Sequence, residues 1–204
     1  MKKIKIILAI AAFLLGGTVA SAQSDWTAGV GYATTSFRGA DCSGFLTSHP
    51  LRGFYAGVSH DFYFSALAGL TVEPGAYFYY QSGQNDSGLT PKFIKMHYLS
   101  IPVNVKYTFE LVQGTLNASV FTGPVLNVGL IGNLYENGQF VTSTDLQEPM
   151  RRLTRVNAQW DFGLAVTVAG AVQIRVGYAL GLSRLVPEQN VQSNTFSVGA
   201  GLLF

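Results

Sequence analysis

Residues 98–107 read YLSIPVNVKY, and this stretch alternates between apolar and polar side chains. Leu99, Ile101, Val103, Val105 and Tyr107 form the apolar series, with Ser100, Pro102, Asn104 and Lys106 between them. A period of two is typical of a β-strand with two unlike faces, because successive side chains point to opposite sides of the sheet. The apolar face contacts either a protein core, with water on the other side, or lipid, with a polar interior on the other side.

The first 22 residues have the pattern of a secretory signal peptide. Three lysines in the first five residues precede an apolar run over 6–15, and Ala20, Ser21 and Ala22 form a small-residue cleavage site. We expect cleavage after Ala22, so that 1–22 is the signal peptide and 23–204 the mature domain. A retained membrane helix is the alternative, but the apolar run is shorter than the ~20 residues of a span.

The composition of the mature chain excludes several classes of protein. The signal segment carries three of the thirteen basic residues and none of the eleven acidic ones, which leaves ten against eleven. This near-neutral balance gives no support for nucleic-acid binding. A single cysteine, Cys42, excludes an internal disulfide framework and the usual zinc clusters, and we expect no metal or cofactor.

The chain is also apolar and poor in charge, with 48% hydrophobic and 12% charged residues. After the signal segment it contains no apolar run long enough for a membrane helix. An exported chain with these properties is typical of a membrane β-barrel, which crosses lipid with alternating strands.

The alternation predicts eight strands, at 25–36, 52–63, 66–81, 94–109, 115–131, 155–168, 171–183 and 193–204. The connections after strands two, four and six are short, whereas those after strands one, three and five are long. Short turns at one end and long loops at the other are the pattern of outer-membrane barrels. The sequence therefore predicts an all-β fold, an eight-stranded antiparallel up-and-down transmembrane β-barrel with both termini on the periplasmic side.

A soluble β-sandwich or lipocalin-like barrel is the alternative fold. Against it, the polar faces of the strands carry mainly Gly, Ser, Asn, Gln and Tyr, with few Lys or Glu. Aromatic residues also gather near the strand ends, as in the two interfacial girdles of membrane barrels. They are Trp26, Phe62, Phe64, Tyr107, Phe109 and Phe204 on the short-turn side, and Phe37, Phe54, Phe78, Tyr80, Phe93 and Trp160 on the loop side.

Nearly every charge within a predicted strand lies on the polar face, which would line the lumen. The predicted lumenal charge network is Asp61, Glu73, Lys106, Asp161 and Arg175. Because an eight-stranded barrel is only wide enough for its own side chains, these charges must be paired. We expect the three acids to pair with the two bases in a closed plug, with a polar relay or ion path as the alternative. Lumenal glycines would make room for Tyr55, Tyr77 and Tyr79.

Little in the sequence supports an arrangement of catalytic side chains, so we expect no enzymatic activity and no catalytic residues. The one pairing that merits attention, His97 with Ser100, is poor because the two side chains point to opposite faces.

The third long loop carries Arg151, Arg152 and Arg155, a candidate contact for lipopolysaccharide phosphates through forked guanidinium donors. The alternative is a solvated loop whose arginines are balanced by nearby acids.

Pro102 is the least regular position of the opening stretch. Proline cannot donate to a sheet ladder, and a closed barrel has no free edge on which to place it. We therefore predict a β-bulge or kink there, which would shift the alternation by one residue.

The stretch YLSIPVNVKY resembles a segment of the PorT-like or OmpX-like outer-membrane β-barrel family of Bacteroidota. The matching residues are Tyr98, Leu99, Ile101, Pro102, Lys106 and Tyr107. The stretches GPVLNVGL from Gly123, DFGLAV from Asp161 and VGYALGLSRL from Val176 are similar as well. The family is named after a protein linked to secretion, a role that we do not transfer.

Together, these features predict a non-enzymatic outer-membrane protein with a structural or surface-interaction role through its extracellular loops. The alternative is a narrow pore or an accessory component of a secretion system. The expected partners are outer-membrane lipid or lipopolysaccharide, the barrel-assembly machinery during insertion, and a surface or secretion-complex protein.

Overall fold

The computed structural model describes residues 25–38, 50–64, 67–85, 92–136, 139–143, 154–185 and 191–204. The predicted signal peptide, Cys42, Arg151 and Arg152 lie outside these ranges. Within them the chain forms nine strands: β1 Asp25–Arg38, β2 Leu51–Tyr63, β3 Leu70–Asn85, β4 Lys92–Val112, β5 Leu116–Glu136, β6 Gln139–Ser143, β7 Val156–Val168, β8 Val172–Gly181 and β9 Gln192–Leu203.

Eight of these strands form a closed antiparallel barrel, which confirms the predicted fold. Each strand pairs with its neighbours in the order β4-β3-β2-β1-β9-β8-β7-β5, and a β4–β5 pairing closes the ring. The first and last strands are joined by two backbone hydrogen bonds between Trp26 and Phe204, of 3.0 and 2.9 Å. Among the described residues no helix is long and apolar enough to cross a membrane.

The ninth strand, β6, was not predicted and lies outside the ring. Among the described residues it pairs only with the last part of β5, where Asn133 is opposite Ser143 and Glu136 is opposite Gln139. Strands β4 and β5 are 21 residues long each, so they extend past the predicted ends at 109 and 131. Part of the predicted third long loop is therefore a β-hairpin that continues the wall of the barrel.

The predicted bulge at Pro102 is wrong. Pro102 lies opposite Val125, and the pairing resumes at Val105 and Thr122 in the same register. The missing proline N–H therefore leaves a local gap in the ladder without shifting the alternation. The β4–β5 pairing is instead irregular at two other places. Four residues before Pro102, Tyr98 pairs with Gly129 and His97 with Ile131, so that Leu130 of β5 has no partner in β4, and the register shifts again between Glu110 and Val112.

The barrel is apolar outside and polar inside. Among the described residues, nineteen polar or charged residues are buried against ten hydrophobic ones. On the outer surface Phe54, Leu164 and Leu202 are 66%, 61% and 60% exposed. This is the reverse of a soluble β-sandwich, whose apolar side chains fill the interior.

Many of the exposed aromatic side chains lie close to the two ends of the barrel wall, although Phe162 and its neighbour Tyr178 are exposed in mid-strand. Phe64, Phe109 and Phe204 are exposed near the short turns, and Phe54 and Phe93 near the loops. Phe37 was predicted to join them, but it lies on the lumenal face of β1 and lines a cavity together with Leu51. Its position follows the alternation of β1, in which Thr27, Ala33 and Thr35 are buried.

Candidate functional site: the barrel lumen

Glu73 is the centre of a buried charge cluster inside the barrel. Its Oε1 accepts hydrogen bonds from Arg175 Nη1 at 2.6 Å and from Ser59 Oγ at 2.7 Å. Its Oε2 lies 3.7 Å from Lys106 Nζ, which also forms an ion pair with Asp61. Glu73 is 2% exposed and Lys106 is 3% exposed, so these charges are removed from water and held by one another.

The strand order explains how these side chains meet. Asp61, Glu73 and Lys106 come from the consecutive strands β2, β3 and β4, on the lumenal phase of each. Arg175 comes from β8, which is four strands away from β3 in either direction around the ring. The Arg175–Glu73 ion pair therefore crosses the lumen and joins opposite walls of the barrel.

Arg175 is also held by an aromatic ring. Its Cζ lies 3.7 Å from the centroid of the Phe121 ring, a close cation–π contact. Phe121 is itself 3% exposed and points inward from β5. A small residue, Gly163, makes room for it, because a Cβ there would lie 2.7 Å from Phe121 Cε1.

Asp161, the fifth predicted member of the network, lies in the lumen but outside this cluster. Among the described residues it makes no ion pair within 4.0 Å. It lines a cavity that Arg175 also lines. The structure thus brings four of the five residues into one cluster and leaves the fifth beside it.

A layer of tyrosines lies next to the charge cluster. Tyr55 stacks on Tyr79 with ring centroids 5.0 Å apart, and Tyr79 stacks on Tyr98 at 4.8 Å. Tyr77 meets the edge of Tyr55 and donates a hydrogen bond to Ser59 Oγ at 3.0 Å. This hydroxyl connects the aromatic layer to Glu73 through Ser59.

The loop end of the lumen is filled by a network of amides and hydroxyls. Asn127 Nδ2 donates to Gln159 Oε1 at 2.8 Å, and Gln159 Nε2 donates to the Ser193 carbonyl at 2.7 Å. Ser183 Oγ donates to Asn157 Oδ1 at 2.7 Å. These amides are not among the predicted site residues, although the period of two in β7 places Asn157 and Gln159 on the lumenal face.

Two cavities lie between these layers. Each has a volume of about 60 Å³, and Tyr98, Asn127, Gln159 and Thr195 line both of them. A cavity of this size has room for a few water molecules, since one water needs at least ~10–15 Å³ of such volume. The described lumen therefore has narrow spaces and no wide channel.

The remaining predicted residues are separated from one another. His97 lies on the outer surface, in ring contact with Phe78 and Tyr80, whereas Ser100 is 5% exposed inside the barrel. Arg155 is exposed at the loop end, where it lines the same cavity as Phe37 and Leu51. Arg151 lies outside the described residues, so the predicted arginine cluster is not seen as a unit.

Four cations near the loop end were missed by the sequence analysis. Arg38 and Arg52 are exposed on the outer phase of β1 and β2, Arg184 is exposed just after β8, and Lys95 lies 4.8 Å from the centre of the Tyr135 ring. Arg38 and Arg184 lie just beyond the predicted ends of their strands, whereas Arg52 and Lys95 lie within predicted strands, on the outer phase. In the described part of the chain, no group of three His, Cys, Asp or Glu side chains is placed to hold a metal ion.

No protein family model matches the chain, and no curated protein matches it. Among solved structures, Ail of Yersinia pestis in complex with sucrose octasulfate is 15% identical, with a TM-score of 0.49 over 90% of this chain and 100% of that one. Neisserial surface protein A is 15% identical, with a TM-score of 0.49 over 91% and 100%. The outer membrane enzyme PagL is 14% identical, with a TM-score of 0.47 over 87% and 97%. At this level the likenesses carry no argument about the activity of this chain.

Proposed function

We propose that this protein is an outer-membrane β-barrel that acts as a structural or surface-interaction protein through its loops. The observation that carries the proposal is the inverted barrel, with exposed residues such as Phe54 and Leu164 outside and Glu73 and Lys106 inside. Water does not favour such an exterior, whereas the hydrocarbon of a bilayer does. A closed barrel also leaves no unpaired strand edge to face lipid.

Export and orientation are part of the same proposal. Residues 1–22 would be removed as a signal peptide, and the loop end would face outward. The exposed cations near that end, Arg38, Arg52, Arg155 and Arg184, suit the phosphates of lipopolysaccharide, as the predicted Arg151 and Arg152 would. Barrel-assembly machinery would insert the chain, and membership of the PorT-like family remains a prediction from the resemblance.

We also propose that the protein is not an enzyme. His97 and Ser100 lie on opposite sides of the barrel wall, so the histidine cannot activate the serine. Mass spectra of lipid A from cells with and without a His97→Ala variant test this, and a changed acyl composition would contradict it.

The localisation and the barrel are tested together. The mature protein is expected in the outer-membrane fraction, with Gln23 as its first residue. It should migrate faster on a gel before boiling than after, because a hydrogen-bonded closed barrel resists detergent until it is heated. A chain found in the soluble fraction, or a band that does not move on boiling, would contradict the proposal.

The closed lumen is tested by conductance. The refolded protein is expected to give no stable openings in planar lipid bilayers, because the Arg175–Glu73 pair crosses the lumen and the cavities are about 60 Å³ each. Stable openings that change size in a Glu73→Ala variant would instead support the narrow pore. A Glu110→Ala variant, altered at the exposed end of β4, is the matched control.

A further inference from the structure

Gln81 carries a fully buried amide whose hydrogen-bonding groups are unpaired. Its side chain is 0% exposed on the lumenal phase of β3, and neither Nε2 nor Oε1 is hydrogen-bonded to any of the described residues. Buried polar groups in proteins are nearly always bonded, because an unpaired one loses its bonds to water on folding. The Gln81 amide therefore destabilises the barrel unless a further molecule meets both of its polar atoms.

Two other amides at this end of the lumen are fully engaged. Asn127 Nδ2 donates to Gln159 Oε1 at 2.8 Å, and Gln159 Nε2 donates to the Ser193 carbonyl at 2.7 Å. These residues and Gln81 line one cavity of about 60 Å³, which we call the Gln81 cavity. Its other amides satisfy one another, so the hydrogen-bonding capacity that remains in its wall is that of Gln81.

Apolar side chains form another part of the lining of the Gln81 cavity. They are Phe37, Leu51, Met96 and Leu185, and Met96 is the cross-strand neighbour of Gln81. A buried water needs about two to four polar partners, which alkyl and aromatic groups do not supply. A molecule with one polar end and a short alkyl chain suits this lining better. The cavity reaches the exposed loop end, where Arg155 lines it.

We infer that the Gln81 cavity binds a short-chain primary carboxamide, whose polar end pairs with the Gln81 amide. A primary carboxamide presents a carbonyl acceptor and an N–H donor side by side, so it accepts from Nε2 and donates to Oε1 at once. An ionised carboxylate has acceptors only and would repel Oε1. The volume of about 60 Å³ suits a chain of a few carbons.

A titration of the refolded protein in detergent micelles, followed by NMR, tests this inference. Propionamide is the probe, and sodium propionate is the reference of equal size. The side-chain amide signal of Gln81, identified as the one that a Gln81→Leu variant lacks, is expected to move and to saturate with propionamide only. The ¹³C-labelled methyl group of Met96, which lines the cavity, reports binding in every variant.

The Gln81→Leu variant keeps the approximate size of the side chain and removes both polar atoms. It should bind propionamide at least about ten-fold more weakly, which is ~1.4 kcal/mol, because two hydrogen bonds are lost. Gln84→Leu makes the same change at an exposed position of β3, so it should bind as the wild type does.

A second variant leaves Gln81 in place and fills the cavity. Gly129 lines it, and a Cβ there would lie 3.5 Å from the Arg155 carbonyl oxygen, which is ordinary contact. Gly129→Val should therefore fold and bind propionamide at least about ten-fold more weakly. Each variant is first checked for the gel shift of a folded barrel. If Gln81→Leu does not fold, Gly129→Val and the Gln81 signal of the wild type carry the test.

The unpaired amide also gives a readout in the absence of any ligand. Gln81→Leu should unfold at a higher urea concentration than the wild type, because leucine fills the same space and buries no polar atom. A lower unfolding midpoint would show that the Gln81 amide is bonded within the barrel, and the reason for a ligand would be gone.

A free amide and the glutamine side chain of a peptide end in the same carboxamide, and a second probe distinguishes these two sources. N-acetyl-glutamine-N-methylamide carries the propionamide group on a peptide backbone. Tighter binding of this probe than of propionamide would assign the cavity to a peptide side chain. Weaker binding would assign it to a free small amide.

Three results of the titration would overturn the inference. They are the absence of saturable shifts with propionamide in the wild type, an equal response to propionate, and unchanged affinity in the folded Gln81→Leu variant. None of them bears on the outer-membrane proposal, which rests on the exterior of the barrel.

Discussion

Replacing Glu73 by glutamine is expected to lower the free energy of unfolding by about 3–5 kcal/mol, the usual loss when one partner of a buried ion pair is removed. The glutamine keeps the size of the side chain but leaves Arg175 without the carboxylate that accepts its 2.6 Å hydrogen bond. Lys106 also loses a carboxylate at 3.7 Å. Urea unfolding in phospholipid vesicles measures the change, and the fluorescence of Trp26 and Trp160 on the outer surface reports it.

Glu110→Gln is the matched control for this experiment. Glu110 is exposed and accepts one hydrogen bond from the Gly114 backbone N–H at 2.9 Å, so its replacement should cost less than about 1 kcal/mol. A double variant that removes both charges of the other pair, Asp61→Asn with Lys106→Met, should unfold at higher urea than Lys106→Met alone. Equal losses for Glu73→Gln and Glu110→Gln would show that the lumenal cluster does not stabilise the barrel.

The barrel itself was predictable because each strand has two faces that meet different surroundings. The phase of residues 98–107 alone placed Asn104 and Lys106 inside, where they are 1% and 3% exposed. The alternation of the second and third strands placed Asp61 and Glu73 inside in the same way. In the central part of each strand, alternation therefore predicts which side chains face the lumen, because a shift of one residue would exchange the two faces.

Alternation failed where the chain departs from a regular ladder. The unpaired Leu130 exchanges the faces of β5 beyond it, so the hairpin with β6 could not be recognised from a strict period of two. The bulge predicted at Pro102 rested on a different argument, the missing proline N–H, and it is wrong. A proline removes one donor, and the ladder tolerates that gap without an extra residue.

The partners within the lumen were less predictable than their placement. The period of two predicts that Asp161 and Arg175 face inward. Which charges form ion pairs, however, depends on the height of each residue along the barrel and on which strands lie opposite. Arg175 reaches Glu73 across the ring, while Asp161 is left beside a cavity. Strand registers, which local sequence does not supply, decide this outcome.

Adding a single methyl group at Gly75 is expected to destabilise the barrel by about 1–3 kcal/mol, the usual cost of overpacking. A Cβ at this lumenal position of β3 would lie 2.8 Å from Tyr77 Cε2, and 3.2 Å from both Ser59 Cβ and the Val58 carbonyl oxygen. The nearest obstacle is therefore one aromatic ring, which itself donates a hydrogen bond to Ser59. Urea unfolding of Gly75→Ala in vesicles measures the loss.

Gly29 supplies the matched control because it faces the same ring from β1. A Cβ there would lie 3.6 Å from Tyr77 Cε1 and 3.7 Å from the Ala200 carbonyl oxygen, which is ordinary contact, so Gly29→Ala should change the stability by less than about 1 kcal/mol. In a Tyr77→Ala background the cost of Gly75→Ala should fall by most of its value, since the ring that it meets is gone. If Gly75→Ala lowers the free energy of unfolding just as much in the Tyr77→Ala background, the added methyl group clashes with β2 and not with the tyrosine ring. In that case the packing of a lumenal glycine against a tyrosine does not limit the width of this barrel.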